Sequence, residues 1–104
     1  MAIETVVVPK AVQNILQRLT GQSRPDIALS LAIKDLVRLR REETQTRIKE
    51  FEKKYGMTFQ EFEAACEDGR IKDPDSYEVE KDDWEWEAAI TDQEALEEIS
   101  QWLV

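Results

Sequence analysis

Residues 24–55, RPDIALSLAIKDLVRLRREETQTRIKEFEKKY, decide how this sequence reads. Ser23 is placed to cap a helix, Pro25 is tolerated in a first turn, and Asp26 carries the charge that the positive end of a helix favours. Nothing breaks the helix before Gly56. At ~1.5 Å per residue it is about 48 Å long, longer than a small domain is wide, so it calls for a second chain or a folded-back segment to pack against. Ile27, Leu29, Leu31, Ile33, Leu36, Val37 and Leu39 lie on more than one face, which predicts burial of the first half on two sides. From Arg40 the apolar pattern thins to Thr44, Ile48, Phe51 and Tyr55, a narrow seam on a polar helix.

Working outward, Ile3-Glu4-Thr5-Val6-Val7-Val8 is β-branched apart from Glu4 and predicts a short strand ending at Pro9. Val12, Ile15, Leu16 and Leu19 then recur at helical spacing, and Gly21 stops that helix. Beyond the long helix, Thr58-Phe59-Gln60-Glu61 is a capping box opening a helix lined by Phe59, Phe62 and Cys66 and closed at Gly69. Asp73-Pro74-Asp75-Ser76 is turn chemistry leading into a helix over 77–90. Thr91-Asp92-Gln93-Glu94 reads as a second capping box, opening a last helix with Leu96, Ile99, Trp102 and Leu103. The expected fold is mainly α: a short N-terminal strand, two helices of which the second is long, and three short helices. The chain divides into a strand-plus-helices unit over 1–57 and an acidic helical region over 58–104.

The composition excludes most enzyme chemistry. Of 104 residues none is histidine, which removes the commonest general base and metal ligand, and no glycine-rich loop is present to cradle a phosphate. No cofactor and no metal are expected. An EF-hand starting at Asp73 fails, because Tyr77 and Glu78 stand where an oxygen ligand and a glycine belong, and Trp84 where the bidentate Glu does. Charged residues make up 36% of the chain, so its core must be thin or completed by another chain. The lone Cys66, the absence of an apolar run near ~18 residues and the absence of a basic-then-apolar N-terminus point to a cytoplasmic protein with no membrane partner.

The charge is divided along the chain. Residues 1–57 hold eleven Lys or Arg against seven Asp or Glu, net +4, whereas residues 58–104 hold three against sixteen, net −13. Such a division suggests two partners, or one half folding against the other. Tyr77, Trp84 and Trp86 stand among Asp82, Asp83 and further acids. Aromatic anchors rimmed by carboxylates suit an interface with a basic protein. Tyr77, Trp84 and Trp102 serve equally well to fill the Ile48–Phe51–Tyr55 seam of the long helix.

The order strand, helix, glycine-containing turn, helix over residues 3–40 resembles the ribbon-helix-helix family of DNA-binding proteins, among them antitoxins of prokaryotic toxin–antitoxin operons. The resemblance implies that two chains pair their strands, with Thr5 and Val7 facing DNA beside Ile3, and Val6 and Val8 in the dimer core. It places a phosphate clamp at Ser23 and Arg24 and a buried stripe that includes Leu31; Ile48 and Phe51 extend the expected dimer seam along the long helix. The acidic half, through Tyr77, Asp82, Asp83, Trp84 and Trp86, would then cover a basic toxin, and the N-terminal unit would bind operator DNA to repress the operon. A β-branched tail on a helical bundle, in a structural homo-oligomer without DNA binding, fits the same residues.

Overall fold

The computed structural model describes residues 7–103 as four helices in an elongated molecule of 58 × 33 × 22 Å. α1 spans Lys10–Thr20 and ends at Gly21, whose φ of 73° is open to glycine without strain and lets its N–H reach the Gln17 carbonyl. α2 spans Pro25–Tyr55, 31 residues and about 46 Å. Its N-cap is Arg24, with no side-chain cap; Ser23 does not take that role, and Asp26 in the first turn pairs with Arg24 at 2.8 Å. α3, Phe59–Glu67, opens with the Thr58–Glu61 capping box, formed in both directions. α4 spans Tyr77–Trp102, its first turn held by the Val79 N–H on the Ser76 hydroxyl.

Two expectations are corrected. Among the described residues there is no strand: Val7 is 85% exposed, Val8 and Pro9 are not helical or extended in a ladder, and Ile3 to Val6 lie outside the described residues. Among the described residues no second extended segment is present with which a β-branched run could complete a hydrogen-bond ladder. The two helices expected over 77–90 and from Thr91 are one continuous helix, so the count is four and not five. Thr91 and Glu94 lie inside α4, where neither Gly nor Pro interrupts residues 77–102 and where Ala89, Ile90 and Leu96 are fixed against the rest of the chain.

α4 runs antiparallel to α2. Lys54 near the end of α2 meets Glu78 and Asp82 near the start of α4, while Arg41 meets Glu97 and Ser100 near its end. The less exposed positions recur at alternating three and four residues on both helices. On α2 they include Val37, Arg41, Thr44, Ile48, Phe51 and Tyr55; on α4 they include Val79, Asp82, Trp86, Ala89, Gln93, Leu96 and Ser100. This is a coiled-coil seam that is apolar at one end and polar at the other. The apolar end is closed by α3. There Trp86 and Phe62 are fully buried, and the Trp86 ring lies 5.5 Å from Phe51, 5.3 Å from Phe59 and 5.2 Å from Phe62. Ile48, Tyr55, Met57, Cys66, Ile71, Val79 and Ile90 pack around this cluster.

The opposite end is built differently. α1 packs on the first half of α2, but between Val7 and Arg40 only Leu16 and Ala28 are buried. Ile27, Leu29, Ile33, Leu36 and Leu39 are all substantially exposed, so the two-sided burial expected for this stretch is not supplied by the described residues.

The two neighbouring tryptophans separate core from surface. Trp86→Ala should cost about 3–5 kcal/mol of unfolding free energy, and Trp84→Ala should change it by only about 0.5 kcal/mol, as read from urea titrations followed by far-UV circular dichroism.

Candidate partner-binding face

α4 presents two opposed faces. The inner one carries its acids to α2, where each finds a cation. Lys54 Nζ lies 2.6 Å from Asp82 Oδ2 and 3.0 Å from Glu78 Oε1, Arg47 lies 3.1 Å from Glu85, and Arg41 pairs with Glu97. Asp82 is the most enclosed of these. Burial alone would raise its pKa, but bonds donated by Lys54 and by the Tyr55 hydroxyl at 2.5 Å outweigh burial and hold it below the usual carboxylate range. The same site pushes the Tyr55 phenol up to about 12, through burial first and then its bond to Asp82.

The outer face carries a different series. Trp84, Ala88, Thr91, Ala95, Ile99 and Trp102 follow one another at steps of three and four residues and therefore share one side of the helix. Trp84 is 63% exposed and Trp102 80%, with Tyr77 at 76% about two turns before Trp84. Glu80, Glu87, Asp92, Glu94 and Glu98 flank this stripe, and none of them belongs to an ion pair among the described residues. A groove of about 520 Å³ adjoins it on the α2 side, lined in part by Thr44, Ala88, Ala95, Leu96 and Ile99.

The flank toward α3 is uncompensated. Burial and then Glu87 raise the Asp83 pKa, and burial followed by Asp83, Glu87 and Glu67 raises that of Glu63. The Cys66 thiol is pushed up by burial and by Asp83, Glu63 and Asp75, so it stays protonated and is not an activated nucleophile. Among the described residues no three Cys, Asp or Glu side chains are grouped to hold a metal ion, and no helix is long and apolar enough to cross a membrane.

The residues singled out from sequence fall in distinct places. Tyr77 and Trp84 are exposed on α4, Asp83 is half-buried on its α3 flank, and Asp82 and Trp86 are engaged inside the chain. Ile48 and Phe51 belong to the aromatic core of the chain itself, and Leu31 is half-buried on α2. Ser23 and Arg24 are exposed at the start of α2, Val7 is exposed and Val8 half-buried before α1, and Thr5 and Val6 lie outside the described residues. Ala88, Thr91 and Ala95 were not legible as a site, because dividing α4 at Thr91 hid the spacing that joins Trp84 to Trp102. Searches against protein-family models, curated proteins and solved structures returned no match.

The Asp82 site fixes the sign of the pH dependence. A carboxyl with a depressed folded pKa contributes stability that is present above its unfolded value and lost as pH falls through the folded one. The raised Tyr55 pKa contributes stability that is full below about 10, its unfolded value, and lost as pH rises through about 12. Urea unfolding across pH should therefore show Asp82→Asn flattening the acid limb and Tyr55→Phe flattening the alkaline limb.

Proposed function

We propose that this protein is an antitoxin-like binding protein: a cytoplasmic homodimer whose acidic aromatic C-terminal half occludes a basic partner protein. One observation carries the reading. The acids of α4 that face α2 are neutralised by Lys54, Arg47 and Arg41, whereas those bordering Trp84 and Trp102 pair with no cation among the described residues. Apart from Glu80, which suits the positive first turn of α4, the outer acids make no ion pair within the chain among the described residues, and like charges so close to each other cost free energy. They make sense as an attractive field around desolvating aromatic anchors, which is how interfaces combine steering with affinity.

Operon repression enters this reading only through the exposed Ser23 and Arg24 at the start of α2, where helix N–H groups favour a phosphate. Asp26, in the same turn and paired with Arg24, offsets part of that attraction. The competing reading, a structural homo-oligomer with no other partner, draws on the apolar side chains left exposed on α1 and the first half of α2. Both readings use that surface for self-association.

The two are separated by charge. Glu87, Glu94 and Glu98 replaced together by Gln should leave unfolding free energy unchanged within about 0.5 kcal/mol while abolishing recovery of a small basic protein by tagged, nuclease-treated bait from the native host. Undiminished recovery removes the outer acids from the mechanism, and recovery of the bait alone by wild type favours the homo-oligomer. Self-association is checked by sedimentation: wild type should run as a dimer, and Leu19→Glu with Leu36→Glu as a monomer with its aromatic core intact.

A further inference from the structure

The outer face of α4 has a shape as well as a charge, and the shape restricts what can lie on it. Resting on the reading that α4 binds a basic protein, we infer that the partner presents an amphipathic α-helix, with Lys or Arg along one flank, that lies lengthwise between Trp84 and Trp102. These two side chains are eighteen residues apart, about 27 Å along the axis, and both stand well out of the surface. Between them the stripe is made of Ala88, Thr91, Ala95 and Ile99; the first three side chains are short enough to admit a second helix at an interaxial distance of 8–10 Å, and the exposed Ile99 supplies an apolar contact beside Trp102. The face is thus a saddle with an indole at each end. An apolar ridge with a three- and four-residue step fits it, and the adjoining groove over Leu96 and Ile99 takes its larger side chains.

The charges orient the ligand. Glu80, Glu87, Glu94 and Glu98 form a row along the α3 side of the stripe with no cation opposite, so basic residues of the partner belong on that flank. On the other side the groove holds Arg40 and Arg47 against Glu43, Glu85 and Asp92, with Arg40 paired to Glu43 and Arg47 to Glu85, so that rim is mostly compensated and gains less from added cations. An extended polycation would satisfy the acids but leave the indoles and the alanine saddle in water. A second copy of α4 is disfavoured by its own charge, since residues 58–104 carry a net −13.

The test uses the full chain and two synthetic 21-residue peptides of the same Lys, Leu and Ala composition. One places leucines at helical spacing with lysines on one flank, and the other is scrambled so that it has no face. Calorimetry at about 150 mM salt, where the Debye length is about 8 Å, should show the amphipathic peptide binding at least tenfold tighter, about 1.4 kcal/mol, with a gain of helicity. Ala88→Gln with Ala95→Gln fills the saddle without adding charge. That variant should lose the tenfold preference, still bind the scrambled peptide, and keep the near-UV signal of the Trp86 core. Equal binding of both peptides by wild type overturns the helix but leaves a charge-driven partner standing. Binding of neither overturns the basic partner along with it. Unchanged affinity in Trp84→Ala with Trp102→Ala removes the indole clamp and with it the proposal.

Discussion

The indole of Trp86 is the point through which the three C-terminal helices become one structure. Phe51 from α2, Phe59 and Phe62 from α3 and the indole from α4 meet with ring centroids 5–7 Å apart, and α3 has little else to pack against. In a chain with a charged fraction this high, one closely packed aromatic cluster does the work that a larger aliphatic core does elsewhere. Placing Trp86 inward also fixes the rotation of α4. Every residue about half a turn away, Trp84 first among them, is thereby turned to solvent. The core and the outer face are consequences of one choice of register.

That register explains how the charges are arranged. With Trp86 inward, Asp82 and Glu78 come within reach of Lys54, Glu85 of Arg47 and Glu97 of Arg41, so the excess of positive charge on α2 and part of the negative charge on α4 cancel along the seam. Most of these pairs are solvent-exposed and contribute little individually to stability. Their value is directional: together they disfavour a parallel or shifted pairing that would set like charges opposite one another. The negative charge left over lies on the far side of the same helix.

Much of this was legible before the structure. The span of α2, the capping box at Thr58 and the turn at Asp73 depend on local chemistry, where each residue carries its own signal. The strand and the division of α4 were misread because a β-branched run and an S/T-x-x-E tetrapeptide specify structure only in context, through a pairing strand in one case and a free helix end in the other. The buried tryptophan was hardest to identify. Trp84 and Trp86 are two residues apart and point to nearly opposite sides of a helix, and the choice between them rests on the Val79–Asp82–Trp86–Ala89 spacing. An aspartate in that series disguises it as surface, because only Lys54 and Tyr55, distant in sequence, make Asp82 an interior residue.

The length of α2 has a geometric meaning for binding. It is a single rod that carries the apolar N-terminal end at one tip and the aromatic cluster at the other, with no glycine in it and no proline after its first residue, Pro25, to act as a joint. In the proposed dimer, two copies joined at their N-terminal tips would form a rigid two-armed object, each arm tens of ångströms long and ending in its own α4. The separation of the two α4 surfaces is then set by α2 and not by a flexible tether. A target with two equivalent sites at that separation is held with a large effective local concentration, and a target with any other separation gains nothing from the second arm. Rod length, a property usually discussed as architecture, thereby becomes a determinant of valency.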